Sequence, residues 1–259
     1  MIKTLKTGLL AMAIAGMAVI SQASADLSEV LESGTVKIAI PENFPPFGSL
    51  GAEGEYVGYD VDVAKMIAED LGVELELVPV TSKQRIPFLE TDRVDLVISS
   101  MGANPSRAKS IWFSIMRASL ILAIPEMEIS SLADLAGKKV GVTGGTLEDL
   151  ELTEKGPEGI EVVRFGDNAA TLSAYLSKQV DVLVTGNTVA AQLSSDNPGL
   201  DIETKFIIKE SPAFIGIKKG QLDLLQWVNV FILHKKLGGQ LNELSEKWLG
   251  QELPPLPSL

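Results

Sequence analysis

Short apolar runs alternate along the chain with segments in which apolar residues recur every three or four positions. The runs 35–40 and 94–98 have the length and composition of buried strands. Between them, a helix is predicted to begin at a cap formed by Asp60 or Asp62 and to end at Gly72. Strands that alternate with helices in this way predict parallel sheets covered by helices.

This alternation occurs twice, and strongly apolar segments separate the two series. Residues 119–124 (SLILAI) and 211–217 (SPAFIGI) are interpreted as strands that cross between the series. The second series begins with the strand 138–143, and residues 206–208 are predicted as a further short strand. Two series within about 230 residues favour two lobes over one continuous sheet. A cleft between lobes is where small ligands usually bind.

Side chains that can recognise a ligand follow three strands of the first series. In parallel sheets, ligands bind beyond the carboxyl ends of the strands. The loops after Ile40, Val80 and Ile98 lie on that edge. The residues that can converge there are Phe44, Ser82, Arg85, Ser100 and Arg107.

The stretch 98–114 (ISSMGANPSRAKSIWFS) concentrates groups that bind anions. It joins a strand end and two hydroxyls to a short helix that begins at Pro105 and carries Arg107 in its first turn. The planar fork of an arginine matches a carboxylate with two hydrogen bonds, and helix N-termini favour anions. On the local sequence alone, Arg107 equally fits a surface arginine that pairs with a nearby acid.

The first 25 residues have the features of a secretory signal peptide. Lys3 and Lys6 precede an apolar run from 8 to 20, and Ala23, Ser24 and Ala25 form an A-x-A cleavage site. The apolar run is shorter than the roughly 20 residues that a membrane span needs. We therefore expect residues 1–25 to be removed and the mature chain to reside in the periplasm.

Charge and composition narrow the function further. The formal net charge is −12, which opposes binding to nucleic acids and to anionic lipid surfaces. The chain has no cysteine and a single histidine, His234, so disulfide, zinc and haem chemistry have almost no ligands to use. We predict neither a metal nor a cofactor.

Seven blocks resemble the polar amino-acid family of periplasmic solute-binding proteins (bacterial solute-binding protein family 3), the capture components of ABC importers. The blocks occur in family order between residues 34 and 250. They are GTVKIAI…PPF (34–47), GYDVDVAKMIAEDLG (58–72), SKQRIPFLETDRVDLVIS (82–99), MGANPSRAK…FS (101–114), DLAGKKVGVTGGT (134–146), LSKQVDVLVTGN (176–187) and EKWLG (246–250).

The resemblance implies an α/β fold of two lobes, each a mostly parallel sheet flanked by helices, joined by two hinge strands. Residues 26–120 and 211–259 would form lobe 1, and residues 121–210 would form lobe 2. The expected partners are a small carboxylate-bearing ligand and an ABC permease of the inner membrane, with no nucleic acid and with the chain acting as a monomer.

Residue by residue, the resemblance assigns a carboxylate clamp to Arg107, which Ser100 and the backbone at Gly102 would complete. Thr146, at a helix N-terminus in lobe 2, would reach the same carboxylate from the other side. Phe44 falls on an aromatic position that packs against the ligand.

The segment SKQRIP resembles the SxNRIP segment of acidic-amino-acid binders and contributes Ser82 and Arg85. In those proteins the arginine meets a side-chain carboxylate, whereas here Arg85 can equally pair with Glu90 or Asp92. Two arginines without an obvious counter-charge at the cleft predict an anionic ligand, either an acidic amino acid or an organic acid without an amine.

Two departures from the family pattern affect this interpretation. Many members carry an acid for the ligand's ammonium where this chain has Gly186 and Asn187. Asn187 can accept a hydrogen bond from an amine but lacks the charge, and a charged hydrogen bond is worth roughly twice a neutral one. The segment 114–132 is also a few residues short, which predicts a remodelled first crossing or differently seated lobes.

Two alternative functions remain open beside a binding protein that is not an enzyme. Cyclohexadienyl dehydratases resemble this chain in fold and in the arginine, but they need a glutamate as general acid where this chain has Val189, which cannot transfer a proton. A module that presents its ligand-bound form to a receptor would need the same closed lobes and is equally compatible with the sequence.

Overall fold

A computed structural model describes residues 26–125, 127–199, 202 and 204–253, and the predicted signal peptide lies outside them. The strands are β1 (Thr35–Pro41), β2 (Ser49–Leu50), β3 (Tyr56–Val57), β4 (Glu74–Val80), β5 (Leu96–Gly102), β6 (Ile111–Pro125), β7 (Lys139–Thr143), β8 (Glu161–Phe165), β9 (Val182–Gly186) and β10 (Phe206–Lys218). The helices are α1 (Leu27–Ser33), α2 (Tyr59–Leu71), α3 (Arg85–Glu90), α4 (Leu147–Lys155), α5 (Asn168–Leu176), α6 (Asn187–Asp196), α7 (Leu222–Leu237) and α8 (Gln240–Leu249). Single 3₁₀ turns occupy Arg107–Lys109 and Leu132–Leu135.

The molecule is an α/β protein of two lobes whose strands form one sheet. In the described part of the chain, eight strands lie in the order β4-β1-β5-β10-β6-β9-β7-β8. Within the first lobe β1 runs parallel to β4 and β5, and within the second lobe β7 runs parallel to β8 and β9. Strands β2 and β3 form a separate two-stranded antiparallel sheet.

The long strands β6 and β10 connect the lobes. They pair with each other antiparallel along most of their length. The end of β10 also pairs with β5, and the end of β6 pairs with β9. The alternation of elements did not predict this continuity, because hydrogen bonding between two distant crossing strands leaves no trace in local periodicity.

The crossing strands also revise two expectations. Residues 206–208 are the beginning of β10 and not a separate strand. In the short segment 114–132, β6 continues to Pro125 and its residues 121–125 pair with β9. The predicted lobe limits at 120–121 and 210–211 fall inside these two strands.

Apolar residues of both strands and helices form the cores. Ile38 of β1, Ile67 of α2 and Leu96 of β5 are fully buried in the first lobe's cluster, as expected for strands covered on both faces. Val142 of β7 and Val184 of β9 are buried in the cluster of the second lobe. Val189 of α6, in the second lobe, belongs to the first lobe's cluster, so apolar side chains of the two lobes meet.

Helix α2 ends at Gly72 as predicted, with φ of 71°, but its beginning differs from the prediction. The cap is Gly58, whose φ of 138° is a backbone conformation that residues other than glycine rarely adopt. A Cβ at Gly58 would lie 2.3 Å from the carbonyl oxygen of Phe47. Asp60 therefore lies inside the first turn, where it is completely buried.

No helix in the described ranges combines the length and apolar character that crossing a membrane requires.

Candidate functional site

The site is built around the carboxyl end of β5, where two serines form a bulge. The register between β5 and β10 shifts at Phe214 and Ile215, opposite Ser99 and Ser100. Ser100 has a φ of 46°, in the left-handed region that non-glycine residues seldom occupy. Bulges of this kind turn side chains in new directions. The bulge therefore places two consecutive serine side chains at the carboxyl end of β5.

The two hydroxyls contact different charged groups. The Oγ of Ser99 accepts a hydrogen bond from Nε of Arg85 at 3.0 Å. The Oγ of Ser100 donates to a carboxylate oxygen of Asp60 at 3.3 Å. The bulge thus lies between a buried cation and a buried anion.

Arg107 bridges the two lobes. Its backbone N–H donates to Oδ1 of Asn104 at 2.8 Å, which holds the 3₁₀ turn against the preceding loop. Its guanidinium donates to the carbonyl of Gly102 at 2.7 Å in the first lobe and to the carbonyl of Gly145 at 2.8 Å in the second. Burial lowers the pKa of Arg107, and the charge of Glu148 acts in the opposite direction.

Arg85 is the first residue of α3 and is 4% exposed. Burial and the neighbouring charge of Arg107 lower the pKa of Arg85 to about 9, whereas Asp60 and Glu148 act in the opposite direction. The sequence expectation of two arginines without a counter-charge was therefore wrong. Among the described contacts, Arg85 pairs with neither Glu90 nor Asp92: its Nε donates to Ser99, and Asp92 accepts from Lys218 at 2.6 Å.

The second lobe contributes a glycine-rich loop that its own helix holds in place. Thr146 caps α4, since its Oγ1 accepts from the N–H of Asp149 at 3.3 Å and donates to the carbonyl of Thr143 at 2.8 Å. The carboxylate of Asp149 accepts from the N–H of Gly145 at 2.9 Å. This bond holds the backbone of Gly145, the residue whose carbonyl group accepts from Arg107.

A cavity of about 330 Å³ lies between the lobes beside the two arginines. Residues before and within α3 and residues at and after the end of β5 line it from the first lobe, and Gly145 and Leu150 line it from the second. The polar side chains that line it are Ser82, Lys83, Arg85, Asn104, Ser106 and Arg107.

The other predicted residues do not line this cavity. Gly102 holds Arg107, and Ser100 lies on the bulge above Asp60. Phe44 packs edge-on against Phe47, with the ring centroids 4.9 Å apart.

A much smaller cavity, of about 10 Å³, brings Phe44 together with Ser82, Arg85 and Asp167 of the second lobe. Asn187 begins α6 and lines neither of these two cavities. The structure therefore brings Ser82, Arg85 and Arg107 together at the larger cavity, which Asn187 does not line.

Sequence reasoning missed several residues that shape the site. Asp60 was predicted as a possible helix cap, and Ser99 was grouped with a polar loop. Lys83 crosses to the second lobe, where a Cβ added at Gly144 would lie 2.9 Å from its Cε. The sequence indicated Lys83 only through its place in the segment SKQRIP. A contact between residues of two lobes produces no regular spacing along the chain, so the sequence could not predict it. Within the described ranges, no three His, Cys, Asp or Glu side chains are placed so that they could hold a metal.

Comparisons with known proteins identify relatives of this chain. The sequence pattern that defines the bacterial extracellular solute-binding proteins, family 3, matches residues 36–251. The L-cystine-binding protein TcyJ of Escherichia coli (strain K12) is 30% identical over 253 residues, which cover 95% of each chain. The cyclohexadienyl dehydratase of Pseudomonas aeruginosa is 26% identical over 271 residues, or 95% of this chain and 96% of that one. A crystal structure of the solute receptors for L-cysteine of Neisseria gonorrhoeae superposes with a TM-score of 0.81 at 27% identity, over 87% of this chain and 94% of that chain.

Proposed function

The chain belongs to family 3 of the bacterial extracellular solute-binding proteins, and from this we propose that it captures a small carboxylate-bearing ligand between its lobes. The ligand is a polar amino acid or a related organic acid, and the lobes close on it as a hinge. The observation that carries this proposal is the buried guanidinium of Arg107, which bonds to carbonyl groups of both lobes.

The chemistry of Arg107 supports a carboxylate as the group recognised. A guanidinium has five N–H donors, and the contacts that the structure describes assign one to Gly102 and one to Gly145. The remaining donors can meet a carboxylate, which binds a guanidinium more strongly than a neutral carbonyl does. Ser100, the backbone at Gly102 and the helix N-terminus at Thr146 complete the proposed clamp, and Phe44 packs against the ligand.

The chain has no charged partner for a ligand's amine at the position where many family members have one. The loop at Gly186 and Asn187 has no carboxylate, so Asn187 would act as a hydrogen-bond acceptor alone. The relatives named for L-cystine and L-cysteine make these amino acids the first compounds to test. Organic acids without an amine are equally proposed as ligands.

Transport fits the chain better than the chemistry of the related dehydratase. Val189 stands where a general acid would be needed, and its side chain is 1% exposed within an apolar cluster. An aliphatic group in such a place cannot transfer a proton. A role as the sensing module of a receptor would use the same closed lobes, and the gene neighbourhood distinguishes it from uptake: permease and ATPase genes favour uptake, a kinase gene favours sensing.

The wider role follows from this proposal. Residues 1–25 direct export, the mature chain works as a monomer in the periplasm, and an ABC permease receives the ligand. Residues 26–120 and 211–259 form the first lobe and residues 121–210 the second.

A thermal-shift screen of the mature protein tests the proposal. The compounds are L-cystine, L-cysteine, other amino acids, dicarboxylates and oxo-acids. A compound at about 100 times its dissociation constant stabilises the folded state by about 2.7 kcal/mol, which is a readily measured shift in Tm. At least one carboxylate is expected to give such a shift, and a complete panel without any shift would contradict the proposal.

A further inference from the structure

The carbonyl group that meets Arg107 across the cleft belongs to a loop whose backbone is held on both sides. Before this carbonyl, the N–H of Gly145 donates to the carboxylate of Asp149 at 2.9 Å. After it, the N–H of Thr146 donates to the carbonyl of Thr143 at 3.4 Å, and the hydroxyl of Thr146 donates to the same carbonyl at 2.8 Å. The direction of the Gly145 carbonyl therefore depends on both of these contacts.

The loop has no side chain of its own at the position that meets the first lobe. Gly145 has a φ of 83°, in the left-handed region that glycine adopts without a steric penalty. A Cβ there would lie 2.9 Å from Cγ of Lys83. The polar group that holds this residue therefore comes from elsewhere in the chain, and Asp149 supplies it.

Asp149 has a second partner, which orients its carboxylate. Nε of Arg164, on β8, donates to Oδ1 of Asp149 at 2.7 Å, while Oδ2 accepts from the N–H of Gly145. Another nitrogen of the same guanidinium donates to Oγ1 of Thr153 at 2.8 Å. The side chain of Asp149 is 11% exposed and that of Arg164 is 40% exposed. The two oxygens of one buried carboxylate thus divide between an arginine of a neighbouring strand and the loop at the cleft.

Helix capping alone does not explain the contact between Asp149 and Gly145. In a capping box, the third residue of the helix accepts from the backbone N–H of the cap residue. Thr146 is the cap of α4 and Asp149 is its third residue, but Asp149 accepts from the residue that precedes the cap. The carboxylate therefore reaches beyond the helix to the residue that contacts the first lobe.

We propose that Asp149 is a positioning residue for lobe closure, which directs the carbonyl of Gly145 towards the guanidinium of Arg107, and that Arg164 orients Asp149 for this role. The proposal rests on the proposed function, since it concerns closure over a ligand at Arg107. A hydrogen bond that spans the cleft must break before the lobes open, and a bound ligand leaves through that opening. Asp149 and Arg164 therefore slow ligand dissociation, whereas association begins with the open lobes and does not depend on them.

Surface plasmon resonance with the immobilised mature protein tests the proposal. The probes are L-cystine, L-cysteine, L-glutamate and succinate, of which the tightest is used for all variants. Asp149→Ala leaves no acceptor for the N–H of Gly145 and is expected to raise the dissociation rate constant about tenfold, with the association rate constant within about twofold of wild type. Asp149→Asn keeps an oxygen for Gly145 but loses the charge that Arg164 meets, and we expect a rise of about threefold.

A double-mutant cycle separates positioning from a general loss of stability. Arg164→Gln alone is expected to raise the dissociation rate constant about threefold, but less than about 1.5-fold when it is added to Asp149→Ala, because the two residues act through one chain of contacts. Independent effects would multiply instead, and that result would overturn the role given to Arg164. Asp149→Asn and Arg164→Gln carry the test if Asp149→Ala does not fold.

The control variant is Asp134→Asn, which alters another capping acid of the second lobe. Its carboxylate accepts from Ser130 and Ser131, before a 3₁₀ turn. It is expected to lower the Tm without changing the dissociation rate constant. A lower Tm in Asp149→Ala with wild-type dissociation would overturn the inference, while binding that depends on Arg107 would leave the proposed function intact. If none of the probes and no other compound of the screen binds, the proposed function fails and the inference fails with it.

Discussion

The carboxylate of Asp60 lies beside the bulge of β5 and acts on Arg85, one of the two arginines of the site. It is 0% exposed, accepts a hydrogen bond from Ser100 and favours the charged form of Arg85. The sequence could not distinguish this role from that of a helix cap, since an acid near a helix start fits both. The backbone of Gly58 decides between them, because its φ of 138° begins the helix two residues before Asp60.

Replacing Asp60 by asparagine is expected to destabilise the protein. The buried Arg85 would lose part of its compensating charge, at a cost of about 1–3 kcal/mol in the free energy of unfolding. Denaturation by urea measures this change. Asp223→Asn is the matched control, since Asp223 is also an acid in a first helical turn but is exposed, and we expect a change within about 0.5 kcal/mol. Equal effects of the two variants would contradict the role given to Asp60.

The candidate site could be predicted where a residue's neighbours along the chain determine its place. Arg107 follows a strand end and a proline, and it lies beside Gly102 as that spacing predicts. Lys83 lies beside glycines of the other lobe, and Asp149 holds the backbone of Gly145. No local sequence pattern predicts either contact. The ligand roles of the predicted residues stay predictions.

Among the elements, α4 and β10 are joined by an ion pair between Glu151 and Lys209, in which the glutamate is buried and the lysine is partly exposed. Glu151 is 5% exposed and accepts hydrogen bonds from Lys155 at 2.7 Å and from Lys209 of β10. Burial alone would raise the pKa of Glu151, but the two lysines outweigh it and leave the pKa below its usual value of 4.5. The ion pair therefore couples a helix of the second lobe to a crossing strand.

The stability contributed by Glu151 is expected to depend on pH. Because its pKa is lower in the folded chain than in the unfolded chain, its contribution is complete above about pH 4.5 and is lost as the pH falls through the folded value. Glu151→Gln is expected to lower the free energy of unfolding by about 1–2 kcal/mol at pH 7 and by much less at pH 3. Urea denaturation at several pH values measures this difference. Glu154→Gln, an exposed position on the same helix, serves as the control, and a loss in Glu151→Gln that does not vary with pH would contradict the account.

The elements themselves were largely predictable from apolar periodicity, but β10 was not. A short strand at 206–208 and a crossing strand at 211–217 were predicted separately, whereas both belong to β10. The structure accommodates Pro212 because β10 pairs with β5 only from Ala213 onwards, so Pro212 has a neighbouring strand on one side. A residue without an N–H is tolerated where a strand has such an open edge.

At the scale of the whole molecule, the lobes share a sheet at the crossings and meet again at the cleft. The guanidinium of Arg107 donates to the carbonyl of Gly145, and the side chain of Lys83 lies beside Gly144. The alternation of strands and helices predicted two lobes, since each series needs its own covered sheet. Their joining into one sheet depends on pairing between distant strands, which periodicity does not report.

The central claim is that a ligand carboxylate binds to the guanidinium that bridges the lobes. The most direct test is calorimetric titration of the tightest ligand from the screen into wild-type protein, Arg107→Lys and Arg93→Lys. Both variants keep the charge and lose the planar fork. Arg93 lies 3.7 Å over the ring of Phe88, outside the cleft lining. We predict a loss of at least about tenfold in affinity for Arg107→Lys and less than about twofold for Arg93→Lys, whereas wild-type affinity in Arg107→Lys would contradict the account.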